Sequence, residues 1–138
     1  MDKAIEQSVR HRAHDLCEYC LLPESVSTLK HVVDHVIARQ HGGQTVVENL
    51  ALCCGRCNLH KGPNVAGIDT QTGQLTALFN PRVDSWAQHF QWEGPILHGR
   101  TAAGRTTVAV LDINAPARIA VRTTLIAVGK FPPTLAPK

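Results

Sequence analysis

Two stretches decide the fold: Cys17-Glu18-Tyr19-Cys20 and the later Cys54-Gly55-Arg56-Cys57-Asn58-Leu59-His60-Lys61-Gly62. Each holds two cysteines at Cys-x-x-Cys spacing. Together Cys17, Cys20, Cys54 and Cys57 supply four thiolates, the number and type of donor that a tetrahedral structural zinc takes. Between Cys20 and Cys54 lie 33 residues, more than a zinc ribbon uses, and that is room for a whole hairpin between the knuckles. Cys53 would stretch its pair to Cys-x-x-x-Cys if it replaced Cys54, so it reads as a small buried apolar residue.

Working outward, Leu29 to Ile37 contains Val32, Val33, Val36 and Ile37 and predicts a β-strand. Gln40-His41-Gly42-Gly43-Gln44-Thr45 is a loop with paired glycines. Asn49-Leu50-Ala51-Leu52 predicts a second short strand, and Gly55 to Lys61 a short helix stopped by Gly62-Pro63. The order is knuckle, strand, loop, strand, knuckle, helix: a ββα unit whose ends the cysteines tie together.

Asp34-His35 sits where the first strand gives way to the glycine loop. Hydrolysis of a phosphodiester needs a base to activate water and a divalent cation to neutralise developing charge. A neutral histidine is a suitable base near pH 7, and a carboxylate suits a hard cation such as magnesium. Adjacent strand residues point to opposite faces, so both serve one site only if the strand ends there and the backbone turns.

The combination of Cys17-x-x-Cys20, Asp34-His35-Val36-Ile37-Ala38-Arg39-Gln40-His41-Gly42-Gly43, Glu48-Asn49-Leu50-Ala51-Leu52 and Cys54-x-x-Cys57-Asn58-x-x-Lys61-Gly62 resembles the HNH endonuclease family. Within it, the likeness is to the ββα-metal nucleases with a four-cysteine structural zinc. It covers about residues 16–63. The resemblance implies His35 as general base, Asp34 as ligand of a catalytic divalent metal (Mg2+ or Mn2+), and Asn49 as the residue that ties down the loop and orients His35. Asn58 takes the last place of the triad, often a histidine, so the triad reads His-Asn-Asn and Asn58 completes the metal site through its amide oxygen. Ala38 stands where many relatives carry proline. Read on their own, Asn49 is also a turn former and Asn58 a helix cap. Arg39, Arg56 and Lys61 are candidate contacts to nucleic-acid phosphates, with His41 and His60 weaker ones.

Either side of this core the signals are plainer. Residues 3–14 form a loose helical pattern with Ala4, Ile5, Val9 and Ala13 on one face and Arg10, His11, Arg12 and His14 on a solvated basic side. Asn64 to Thr76 reads as turns. Two strands are expected at 95–100 and 106–111, joined through Ala102-Ala103-Gly104. A final helix follows at 115–128, capped by Asn114, with Pro116 in its first turn and Ala117, Val121, Thr124, Leu125 and Val128 facing a core. Asn80-Pro81-Arg82, Trp86, His89-Phe90 and Trp92 form an aromatic and polar cluster that packs against that helix or, alternatively, contacts DNA or a second copy.

The expected fold is α+β in a single domain over 1–138: an N-terminal helix, a zinc-stapled ββα-metal core, a C-terminal extension of two strands plus a helix at about 64–131, and a frayed tail at 132–138. In this chain of 138 residues, 43% apolar content allows a modest core that a metal staple would help. Net charge of +3 permits a nucleic-acid partner without demanding one. No run approaches the roughly 20 apolar residues of a membrane span, and the N-terminus shows no signal peptide, so the expectation is a cytoplasmic protein in which cysteines hold metal. Three functions compete: a metal-dependent nuclease acting on DNA, a non-catalytic zinc-stapled nucleic-acid-binding module, and a structural zinc domain for protein contact. Asp34-His35 favours the first, because a binding module has no use for a base beside a carboxylate.

Overall fold

The computed structural model describes residues 1–134. Among them lie five α-helices and three two-stranded antiparallel sheets, so the α+β class and the ββα order both stand. Of the expected frayed tail, residues 135–138 lie outside the described residues.

Asp2 caps α1 (Lys3–Arg12) by accepting from the Ala4 amide at 2.9 Å. His14 and Asp15 take left-handed backbone and end it short of the expected residue 14. Val9 and Ala13 are fully buried as expected. Arg10 and Arg12 are not on a solvated side. Arg10 donates to the His31 carbonyl and pairs with Glu24, and Arg12 donates to the carbonyls of Val47 and Leu50. Both donate to backbone carbonyls at the edges of the following hairpin, where the Val47 C=O also accepts the Leu50 N–H.

That hairpin is β1 (Val32–His35) against β2 (Leu50–Cys53), in the register Val32–Cys53, Val33–Leu52, Asp34–Ala51 and His35–Leu50. The first strand is shorter than the sequence suggests, because residues before Val32 fold back toward the first knuckle: His31 donates from its amide to Glu24 and bonds the Leu22 carbonyl with its ring. All four residues of β2 are buried. Its alternation explains why: Leu50 and Leu52 pack with Val9 and Ala13 of α1, whereas Ala51 and Cys53 face the main core with the knuckles. Cys53 therefore has the apolar role expected of it. After Cys54 the chain enters α2 (Gly55–Lys61), ended at Gly62 with φ of 50°.

The extension departs most from expectation. Residues 64–76 are not only turns: β3 (Ala66–Ile68) pairs with β4 (Leu75–Ala77), the connection pinned by Asp69, whose carboxylate receives Arg105 Nε and Nη2, each at 2.9 Å. A single turn, α3 (Trp86–His89), leads into β5 (Phe90–Glu93), which pairs with β6 (Ile96–Gly99). The strand expected at 106–111 is instead a helix, α4 (Ala102–Val110). Thr101 caps it by accepting from the Gly104 amide, and Thr106 and Thr107 turn their hydroxyls back onto Ala102 and Ala103 carbonyls, so β-branched residues that suggest a strand are accommodated in a helix. Gly104 must be glycine: a Cβ there would lie 2.1 Å from the His89 carbonyl oxygen.

The last helix, α5 (Pro116–Ala127), is where the sequence places it, with Pro116 in the first turn. Asn114 does not cap it. Its amide bonds both the N–H and the C=O of Leu97, fastening α5 to β6. The buried face is also different: Ala117, Val121, Thr124 and Val128 are exposed, Leu125 is half-buried, and Arg118 and Arg122 point inward. The aromatic cluster is core, the packing alternative: Phe79, Phe90 and Trp86 are buried, and Trp86 donates its indole N–H to the Tyr19 carbonyl at 2.8 Å. Among the described residues no helix is long and apolar enough to cross a membrane.

Candidate active site and metal centre

The two knuckles bring four cysteines together as a group that can hold a zinc ion. The Sγ atoms of Cys17, Cys20, Cys54 and Cys57 lie within 4.8 Å of one another, all four residues are buried, and no disulfide links them. Cys20 and Cys54 sulfurs are 3.7 Å apart. A Zn–S bond of about 2.3 Å gives a tetrahedral edge of about 3.8 Å, so the cluster fits zinc. Knuckle amides point at the sulfurs: Cys20 N–H to Cys17 at 3.5 Å, Cys57 N–H to Cys54 at 3.4 Å. The residues between the first two cysteines also serve the fold. Glu18, only 1% exposed, accepts from the Leu52 amide, donates its own N–H to the Leu52 carbonyl and pairs with Arg82 of the extension.

Arg118 reaches this cluster from α5. Its Nη2 lies 2.9 Å from Cys57 Sγ and 3.9 Å from Cys54 Sγ, while Nη1 donates to the Leu111 carbonyl at 2.7 Å. Burial works against its charge, but the Cys57 and Cys20 sulfurs outweigh that and hold the guanidinium above its ordinary pKa. Sequence reading missed this residue because a helix with an apolar stripe was expected to bury the stripe.

Asp34 is the buried half of Asp34-His35, at 7% exposure. Its Oδ2 is 3.1 Å from Lys61 Nζ and receives the Tyr19 hydroxyl at 3.2 Å. Burial pushes its carboxyl up from the ordinary value, and the Lys61 ammonium pulls it the other way. Among the described residues no hydrogen bond falls on Oδ1. Lys61 is not placed as a phosphate contact. It is 2% exposed, and its three protons are matched by Asp34 Oδ2 and the carbonyls of His35 (3.1 Å) and Val36 (3.2 Å). The reason is geometric: four residues after buried Cys57, Lys61 shares its inward face of α2.

His35 is half-buried, and its Nε2 lies 2.9 Å from Thr45 Oγ1. Thr45 was missed; the available signal was a hydroxyl two residues beyond the paired glycines. Asn49 straps the same loop. Its Oδ1 accepts from the Ile37 amide at 2.9 Å, and its Nδ2 donates to the carbonyls of Ile37 at 3.0 Å and Gln44 at 2.9 Å. Gly43 lets the strap close, since a Cβ there would lie 1.7 Å from the Ile37 oxygen. Asn58 is exposed on α2, three residues before Lys61, so the two are neighbours on the helix surface. Its side chain makes no hydrogen bond among the described residues. Arg39, Arg56 and His41 are exposed, and His60 is half-buried. The structure thus brings Asp34 to α2 and His35 to the loop, and Asn49 joins loop to strand.

Residues 17–64 match the family model described as HNH endonuclease. Over 112 residues the chain is 28% identical to the Septu protein PtuB of Bacillus thuringiensis, covering 80% of this chain and 41% of that protein. The chain therefore spans about two fifths of the length of this curated relative. No solved structure matches.

Proposed function

We propose that this chain, with an HNH endonuclease segment at residues 17–64, is a metal-dependent endonuclease that hydrolyses phosphodiester bonds in DNA. The observation that carries the reading is the strapped loop: three Asn49 hydrogen bonds fasten the segment that presents Thr45 to His35. A histidine held this way is a positioned base. With Nε2 donating to Thr45 Oγ1, Nδ1 keeps its lone pair and takes the proton from the attacking water.

Asp34, through Oδ1, and Asn58, through its amide oxygen, make no hydrogen bond there among the described residues, and as hard donors they would hold a divalent cation of the magnesium or manganese type. Such a cation supplies charge at the phosphoryl and leaving oxygens. Lys61 holds the other oxygen of Asp34 and so fixes the carboxylate between β1 and α2. Arg39 and Arg56, both exposed, provide sequence-independent attraction to backbone phosphates.

Supercoiled-plasmid cleavage with Mg2+ or Mn2+, comparing wild type with His35→Ala, tests this. Nicking by wild type alone is expected. Equal cleavage by both would remove His35 from the mechanism. DNA binding without cleavage, in either metal, would instead support the non-catalytic nucleic-acid-binding module.

A further inference from the structure

A zinc ion with four thiolates carries a net charge of 2−, and all four cysteines here are buried. Burying such charge is costly unless counter-charge and hydrogen bonds accompany it. Helix α5 supplies both. Arg118 is 8% exposed and Arg122 3%, four residues apart on the helix face turned inward. Arg118 donates to Cys57 Sγ at 2.9 Å. Arg122 lines the same groove as Cys20 and Cys54. It is held by the carbonyls of Pro95 and Ile113 at 2.8 Å and lies over the Trp92 ring, 5.1 Å from its centroid. Among the described residues no carboxylate pairs with either guanidinium. Two uncompensated buried cations beside a dianionic cluster are a charge match, and it accounts for the exposed apolar stripe of α5.

We propose that Arg118, with Arg122 behind it, is the built-in counter-charge of the zinc–thiolate centre, so that the C-terminal helix is part of the metal site. Arg118 positions and neutralises the thiolates without ligating metal. Its Nη1 bonds to the carbonyls of Leu111 and Asp112 couple this charge to the end of α4, so the extension and the knuckles depend on one another.

The inference rests on the zinc reading, and its failure is separable: a purified wild type without zinc sinks the zinc centre, whereas the following outcomes, in a zinc-bound wild type, concern the arginine. The full chain is titrated with Zn2+ against a competing chelator. Outer-sphere partners of metal ligands are commonly worth about 10–100-fold in affinity. Arg118→Met is expected to weaken zinc binding about tenfold or more, and Arg118→Lys, which keeps the charge, to recover most of that loss. Zinc affinity of Arg118→Met within twofold of wild type would overturn the proposal. So would an Arg118→Lys variant as weak as Arg118→Met. If Arg118→Met fails to fold, wild type alone decides. Cys17 and Cys57 are equally buried, at 0% exposure, but only Cys57 receives the short guanidinium bond. In the zinc-bound chain, iodoacetamide mapped by mass spectrometry should modify Cys57 more slowly than Cys17; equal or reversed rates would overturn the proposal.

Discussion

Replacing Lys61 by methionine is the sharpest probe of how the candidate site is held. The substitution keeps length and apolar stem and removes the ammonium. In the native chain that ammonium is 2% exposed and lies 3.1 Å from the Asp34 carboxylate, itself 7% exposed. At that distance and an effective dielectric near 20, the gross attraction is about 5 kcal/mol. Desolvation of both groups offsets much of it, so the pair adds little net stability over an apolar pair. Breaking it is different, because Asp34 stays buried without a counter-charge and the His35 and Val36 carbonyls lose their donor. We expect Lys61→Met to lower the unfolding free energy by about 3–5 kcal/mol in guanidinium titrations of the zinc-loaded protein at neutral pH. Adding Asp34→Asn should restore at least half of the loss, since the stranded charge is then gone. The cycle should return a coupling of about 2 kcal/mol or more. Manganese should raise the midpoint of Lys61→Met more than that of wild type, because a divalent ion held by Asp34, as proposed, would replace the lost charge. A loss below about 1 kcal/mol, or a double variant no better than the single, would refute the argument that Lys61 neutralises Asp34.

Thr45→Val should lower kcat about tenfold, the worth of one hydrogen bond of about 1.4 kcal/mol, with KM and thermal melt unchanged; a normal kcat in steady-state cleavage would show that His35 needs no such partner. Cys57→Ala should lower zinc content and drop Tm by more than about 10 °C, read by metal analysis and a thermal scan, and an unchanged melt at full zinc would remove the staple. The Arg105 hydrogen bonds hold the Asp69 carboxyl well below its ordinary value of 3.8, so this pair's stabilisation is present above that pH and lost as the pH falls below it. Arg105→Met should therefore be less stable near neutrality and show a flatter acid limb in melts from pH 7 downward; parallel limbs would contradict the pairing.

The core was legible because its signals are local. Cys-x-x-Cys fixes a knuckle whatever surrounds it, Gly62-Pro63 stops a helix by backbone geometry alone, and the valines of β1 have one reading. What the pattern could not give was facing. Lys61 looked available to a phosphate because lysines are mostly on surfaces, yet its spacing from Cys57 turns it inward to Asp34. Arg12 reads as solvated for the same reason, although its guanidinium donates to the carbonyls of Val47 and Leu50. The extension was harder still. Thr106-Thr107-Val108-Ala109-Val110 has the composition of a strand, yet it lies in a helix capped by Thr101 and seated through Gly104 against the His89 backbone.

The facing of helix α5 is set by electrostatics rather than by hydropathy. The helix's existence and bounds follow from Pro116 and the helical period, but period and hydropathy select the wrong face. Once four cysteines are assigned to one zinc, a buried charge of 2− is implied, and it must find cations within the fold. Arginine is the cation best suited to that burial, since it never loses its proton and can donate to several acceptors at once. Arg118 and Arg122, four apart on a helix with no acidic residue, were the candidates on offer. An apolar stripe outweighs two arginines when the core is hydrocarbon; beside a thiolate cluster the ranking reverses, and Ala117 and Val121 are left at the surface.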